Sequence, residues 1–372
     1  MNKPRVLVGM SGGVDSSAVC MLLQEQGYEV VGLTMRMWDV PSQFAPGAEE
    51  PGFVLEARQL AERLGIEHHT LDIRSEFRQT VIRNFIDEYM QGHTPNPCVM
   101  CNLFFKWKYL LDTADKLNCE TVATGHYARI IDLNGKLHIA KGIDDKKDQS
   151  YFLWRLGQKE LSRTLFPLGA MKKEDIKAYV LARGFREKAE KKESMEVCFV
   201  EKDYRTFLRE QLPQIDQQVG AGDFVDEQGK KLGAHKGFPF YTIGQRKGLE
   251  IALGEPAYVV RINPAKNTIR LGKKEELLEN TMVIKEMNVP DVALLADREL
   301  SVRIRYRSKP ESATVEFSSE NGMLLRFTQP ASAVTPGQSA VIYHDDIVIG
   351  GGIIADVKEK RKFKASINRQ ES

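Results

Sequence analysis

Arg5-Val6-Leu7-Val8-Gly9-Met10-Ser11-Gly12-Gly13-Val14-Asp15-Ser16-Ser17 carries a short apolar run into a Gly/Ser turn. Apolar residues at helical spacing follow (Val14, Ala18, Leu22) and continue to Gln26. Glycines let a backbone turn tightly and approach a ligand with no Cβ in the way. Hydroxyls and free N–H groups at a helix start face an anion, and the helix dipole favours negative charge there. The stretch therefore reads as strand, phosphate-holding loop, helix. It lacks the Gly-Lys-Ser/Thr ending of a Walker loop, which disfavours a GTPase or motor ATPase. It also lacks Gly-x-Gly-x-x-Gly, so no hydride chemistry is suggested.

Outward from the loop, strand-like and helix-like segments alternate. Val30–Met35, Ile66–Ile73 and Glu120–Thr124 read as strands, and Phe53–Leu64, Phe77–Met90 and Leu103–Leu117 as helices, with Gly65 a C-cap. That alternation predicts βαβ units and a doubly wound parallel sheet, an α/β fold. After about residue 195 the pattern changes to a Gly/Pro-punctuated segment of short apolar runs. From about 281 come short strands with turn residues at Asn321-Gly322 and Pro336-Gly337, the pattern of a small β-barrel. A basic tail from Lys358 is expected to fray.

The chain has 372 residues, enough for two or three domains, and 42% of them are hydrophobic. The net charge of +2 gives no support to an indiscriminate nucleic-acid binder or an acidic tail protein. Residues 1–150 hold 16 basic and 20 acidic side chains, so the cationic excess lies in the remainder. The charged run Met171–Lys192 reads as a solvated helix face. No stretch approaches ~18 consecutive apolar residues, and the N-terminal run is too short for a secretory signal. Five sparse cysteines argue against a disulfide scaffold and for reduced thiols. The expectation is a cytoplasmic protein with no membrane segment.

Two cysteine segments carry further chemistry. In Thr94-Pro95-Asn96-Pro97-Cys98-Val99-Met100-Cys101-Asn102 two prolines stiffen the approach to Cys101, which is expected just before a helix, where a thiol gains a lowered pKa. A zinc site would need two more ligands, and the sequence has no second C-x-x-C and no spaced His pair. A redox pair fits the spacing but leaves the phosphate loop unexplained. In Ser194-Met195-Glu196-Val197-Cys198-Phe199-Val200 the lone Cys198, taken by itself, reads as a core residue.

Ser11-Gly12-Gly13-Val14-Asp15-Ser16 resembles the pyrophosphate (PP) loop of ATP pyrophosphatases, where Asp15 makes sense beside Mg2+. With the cysteine segments, Thr124–Arg129, Lys147–Leu153, His235–Gly237, Tyr241–Leu249, Arg305-Tyr306 and Pro336–Gln338, the chain resembles the tRNA-specific 2-thiouridylase (MnmA/TrmU) family almost end to end. The resemblance implies an adenine-nucleotide hydrolase-like catalytic domain over 1–203. It implies a mainly-β central tRNA-binding domain over 204–278, a C-terminal β-barrel tRNA-binding domain over 279–360 and a basic tail over 361–372.

It further implies that Gly9, Met10, Ser11, Gly12, Gly13, Val14, Asp15, Ser16, Met35 and Gly125 bind ATP, carried with Mg2+. No protein metal site is implied. Cys198 would carry a persulfide and Cys101 would be the nucleophile. Asn96, Pro97, Cys98, His126, Lys147, Asp148, Gln149, Arg305, Tyr306 and Gln338 would contact tRNA or the target base. The implied reaction is 2-thiolation of the wobble uridine of tRNAs for Lys, Glu and Gln, by adenylation of the 2-oxygen and sulfur transfer. The implied partners are those tRNAs and a sulfur-relay protein or cysteine desulfurase, with the enzyme a monomer.

Two departures accompany the resemblance. Some members carry Asp where this chain has Cys98, and Val40–Leu55 departs from the family's acidic segment. The competing readings are another PP-loop adenylating ligase or amidotransferase, and a non-catalytic RNA-binding relative. Missing glutaminase sequence and the two cysteines oppose the former; intact Ser11, Asp15, Cys101 and Cys198 oppose the latter.

Overall fold

A computed structural model of the chain describes residues 3–190, 197–296 and 299–370. It comprises two compact units. Met1–Val81, Cys98–Phe199 and Asp346–Ile349 form the first; Ile82–Pro97, Val200–Asp345 and Gly350–Ser372 form the second.

In the first unit the strands are β1 (Arg5–Gly9), β2 (Glu29–Arg36), β3 (Glu67–Asp72), β4 (Thr121–Ala123), the antiparallel hairpin β5 (Ala128–Leu133) and β6 (Lys136–Lys141), and β7 (Thr164–Leu165). A parallel sheet runs in the order β3-β2-β1-β4-β7. Val6, Leu7 and Val8 are wholly buried, as a continuous apolar run on a central parallel strand requires. Helix α1 (Val14–Glu25) follows β1, and α2 (Gly52–Leu64) follows β2. Gly65 ends α2 at φ 64°, ψ 37°, the left-handed cap expected of it. Ala18 and Val19 of α1 share a core with Ile176 and Val180 of the helix Lys173–Ala182.

Two expected helices are composite. Arg74–Phe77 and Arg83–Met90 are joined by wider i→i+5 turns over Arg78–Ile82. The helix expected from Leu103 begins at Pro97, widens over Asn102–Trp107 and resumes over Lys108–Lys116. Such wide turns are uncommon inside helices and often mark functional positions.

The second unit holds a four-stranded sheet and a barrel. The sheet strands are β8 (Gly222–Val225), β9 (Lys231–His235), β10 (Tyr258–Asn263) and β11 (Thr268–Gly272), ordered β10-β11-β8-β9. The barrel strands are β12 (Leu278–Asn288), β13 (Leu300–Arg303), β14 (Glu311–Ser319), β15 (Gly322–Ser332), β16 (Ser339–His344) and β17 (Ile347–Ile354). Their order is β12-β15-β14-β13-β16-β17, and Ile284 opposite Ile354 closes the ring. Closure removes the free edges that a sheet would otherwise leave. Asp203 caps the helix Tyr204–Gln211 through the amides of Arg205 and Thr206. Tyr89 stacks on Tyr204 of that helix at 4.6 Å. The tail does not fray as expected: Val357–Gln370 is a helix, because Phe363 and Ile367 find a buried seat beside Val283 and Leu324.

Candidate active site

The strand order reverses between β1 and β4, and open α/β sheets bind ligands outside the carboxyl ends of strands at such a switch point. Gly9–Gly13 leave β1 there, Met35 lies near the end of β2, and Thr124–His126 leave β4. Gly12 has φ +70°, and a Cβ on it would stand 2.9 Å from Glu56 Cβ and 3.0 Å from Phe53 O, so the loop lies on the first turns of α2. A Cβ on Gly125 would stand 2.9 Å from Asp15 Cβ, which brings the β4 loop against the start of α1.

The phosphate loop is tethered from below. Met10 N donates to Leu33 O (2.8 Å), and the buried Thr34 hydroxyl donates to Met10 O (3.1 Å). Ser16 and Ser17 hydroxyls turn back to Gly13 O at 3.1 and 2.8 Å. Helix α1 starts at Gly13 without a side-chain cap, which leaves its first amides for an anion. Lys173, buried, places Nζ 2.8 Å from each Asp15 carboxylate oxygen, and the Tyr127 hydroxyl donates to Oδ1 at 2.7 Å. An uncapped helix start with an ammonium beside it suits a polyphosphate. Asp15 is engaged by Lys173, and among the described residues no three His, Cys, Asp or Glu side chains form a metal-holding group. A divalent ion carried in on phosphate oxygens would find the Asp15 carboxylate at the start of α1.

Lys173 and Tyr127 were not singled out from the sequence. Lys173 lies in the charged run expected to be a solvated face; instead Lys173 and Lys188 both tuck their ammonium groups inward, Lys188 onto Glu56 at 3.2 Å. Their partners are more than 130 residues distant, beyond any local pattern.

The three thiols of the two cysteine segments, Cys98, Cys101 and Cys198, lie in the same unit. Ser194, Met195 and Glu196 of the Cys198 segment fall outside the described residues. Phe199 is buried and packs edge-on to Phe77 at 5.8 Å, and Phe77 to Phe105 at 5.5 Å. This aromatic chain pins the Cys198 turn to the composite helix that carries Cys98 and Cys101. The charges of the three sulfurs influence one another, and Lys106 is the cation acting on all of them.

The expected lowering of the Cys101 pKa is not found. Cys101 closes the Pro97–Cys101 turn and the chain continues into the wide turns from Asn102, so it does not stand just before a helix start as expected. Burial pushes Cys101 up to about 12 and Cys98 up to about 11, with Lys106 acting in the opposite sense. Cys198 is the solvent-exposed member of the three; desolvation raises its thiol as well, against Lys106.

The other expected contact residues divide by environment. Asn96 and Pro97 belong to the second unit and Cys98 to the first, so the chain crosses between units at this motif. His126 is half-buried beside Trp107 and Phe166, accepts or donates at Thr124 Oγ1 (2.8 Å), and burial holds its pKa well below the ordinary value. Asp148 turns inward: its carboxylate accepts from Gly142 N, Ser150 N and Ser150 Oγ at 3.0–3.2 Å. Gln149 exchanges hydrogen bonds with the Tyr127 backbone, while Lys147 is partly exposed.

In the second unit Arg305 Nη2 donates to Ile243 O (2.9 Å) and Ala333 O (3.2 Å), which fastens the Tyr241–Gly248 loop to the barrel. Tyr306 beside it is half-buried. Gln338 Nε2 donates to Thr94 O (2.9 Å) and Pro95 O (3.0 Å), so its amide clamps the strand of chain leading to Asn96.

Family models match three consecutive parts of the chain. The tRNA methyl transferase HUP domain covers residues 4–202, the tRNA methyl transferase PRC-barrel domain 205–273, and the aminomethyltransferase β-barrel domain 280–354. The chain is 58% identical over 363 residues to the tRNA-specific 2-thiouridylase MnmA 3 of Phocaeicola vulgatus, covering 97% of each chain. It is 55% identical over 355 residues to the protein of the same name from Bacteroides fragilis, covering 95% of each. It is 46% identical over 373 residues to the tRNA-specific 2-thiouridylase MnmA of Amoebophilus asiaticus, covering 98% of each. With identity this deep over nearly the whole length, the chain belongs to the tRNA-specific 2-thiouridylase family.

Proposed function

We propose that this chain catalyses ATP-dependent 2-thiolation of the wobble uridine in tRNAs for Lys, Glu and Gln. One observation carries the reading: a phosphate loop at the sheet's switch point shares its unit with a buried Cys101 and an exposed Cys198. ATP, accompanied by Mg2+, supplies an adenylyl group that turns the uridine 2-oxygen into a leaving group. Gly9–Ser16 and Lys173 hold its phosphates, and Met35 and Gly125 border the nucleotide. Cys198 receives a persulfide from a sulfur-relay protein or desulfurase, which its exposure permits. The terminal sulfur attacks C2 and AMP departs. Cys101 then attacks Cys198 Sγ, the bond between Cys198 and the transferred sulfur breaks, and 2-thiouridine is released with a Cys101–Cys198 disulfide. A thiol reductant restores both cysteines.

Asn96, Pro97, Cys98, His126 and Lys147 meet the flipped base and its neighbours, since modification of a base requires its removal from the stack. Asp148 and Gln149 brace the Lys147 and His126 segments, Gln338 the chain leading to Asn96, and Arg305, with Tyr306 beside it, the Tyr241–Gly248 loop. Residues 1–203 form the catalytic domain, and 204–278 and 279–360 grip tRNA. The enzyme works as a cytoplasmic monomer. The test incubates the protein with Mg·ATP, a persulfide donor and unmodified tRNA, then resolves thiolated product on a mercury gel. A retarded tRNA band is expected; none, with an active donor and authentic tRNA, overturns the proposal.

A further inference from the structure

We infer that the C-terminal helix, Val357–Gln370, is an additional surface for tRNA phosphates, with Lys358, Arg361 and Lys362 as its contact residues. The inference rests on the tRNA reading above. The helix begins after the last family model ends at residue 354, so none of the three matched domains accounts for it. Its composition is one-sided: VKEKRKFKASINRQ has six Lys or Arg and one acid, Glu359.

The inward face is fully employed. Phe363 packs on Phe317 at 5.8 Å and, with Ile367, sits in the cluster of Val283 and Leu324. Lys360 donates to Glu279 (2.9 Å) and Thr281 O (2.6 Å), and Lys364 to Thr281 Oγ1 (3.2 Å). The single acid, Glu359, is committed to Lys285 and to the Asp356 amide.

What remains outward is a stripe of cations. Lys358, Arg361 and Lys362 are exposed, and residues three and four apart lie on one helix face. No carboxylate among the described residues pairs with them. A seated helix that turns three unpaired cations to solvent is complementary to a polyanion and holds it at a fixed place. Contacts of this kind add affinity without reading sequence, by releasing counterions.

The experiment compares the full-length chain with its K358Q/R361Q/K362Q variant, by filter binding of unmodified tRNA across a KCl series. Each lost phosphate contact lowers the slope of log K against log salt by roughly 0.7–0.9, so a fall of about 2 is expected. The dissociation constant at physiological salt should rise about tenfold, and KM for tRNA should rise while KM for ATP holds. The charge-conserving K358R/R361K/K362R variant should behave as wild type. An unchanged slope and affinity in the glutamine variant overturns the inference while leaving thiolation intact. Loss of binding to anionic phospholipid vesicles with an unchanged tRNA slope also overturns it, in favour of a membrane surface. If the wild-type chain binds no tRNA, the proposed function fails together with it.

Discussion

Cys101 is buried, and a thiol raised to about 12 is protonated at neutral pH. Its reactivity therefore depends on what lowers that value when the site is loaded, and Lys106 is the cation in place to do so. Replacing Cys101 or Cys198 by Ser should abolish sulfur transfer on the mercury gel, whereas C98S should retain measurable product. If C98S is as inactive as C101S, the nucleophile within the C-x-x-C is misassigned. Lys106→Met removes a charge that lowers all three thiols, so the alkaline-rising limb of the pH–rate profile should move to higher pH, and K106R should restore it. At the phosphate loop, G12A forces a side chain into a left-handed φ at about 1–2 kcal/mol and against Glu56 Cβ at 2.9 Å. Its KM for ATP should rise well above that for tRNA in steady-state assays.

At the level of elements, Gln338 shows how the barrel braces the segment proposed to meet the target base. Its amide supports the two carbonyls before Asn96, and Gly337 admits Thr94 because a Cβ there would stand 3.1 Å from Thr94 O. Q338A should cost about 1–2 kcal/mol in chemical denaturation and raise KM for tRNA with little change in KM for ATP. The β1–loop–α1 unit was legible from sequence because its signals are contiguous: apolar strand, glycine turn, helical period. The Gly65 cap and the Asn321-Gly322 hairpin were legible for the same reason. The barrel strands were visible through their turns. What escaped were features fixed by distant partners. Lys173 reads as one more surface lysine until Asp15, 158 residues away, is placed beside it. The sign of the Cys101 shift depends on burial that no C-x-x-C spacing records. The composite helices escaped because wide turns keep the apolar residues while shifting their phase, and the C-terminal helix because only Phe363 and Ile367 anchor its polar sequence.

Over the whole molecule, the histidines make the two units respond differently to acid. In the first unit burial lowers His126 strongly and His68 to a lesser degree, with Arg58 adding to the latter. Both are kept neutral in the folded state while the unfolded chain binds protons near the ordinary value of 6.5, so the first unit loses stability as pH falls through that value. In the second unit burial likewise lowers His235, but His93 is raised: desolvation opposes its charge and is outweighed by Glu88, 3.0 Å from Nδ1, with Asp356 on the other side. A raised histidine contributes stability that is full below the unfolded value and lost as pH rises through the folded one, so His93 and His235 offset each other. Calorimetry between about pH 7.5 and 5.5 should therefore show the transition of the first unit moving down while that of the second shifts less. H93Q removes the raised member and leaves His235 unopposed, so the second transition should then fall with acidification as well. Parallel movement of both transitions in the wild-type chain, unaltered by H93Q, would show that the Glu88–His93–Asp356 contact does not set the acid response of the second unit.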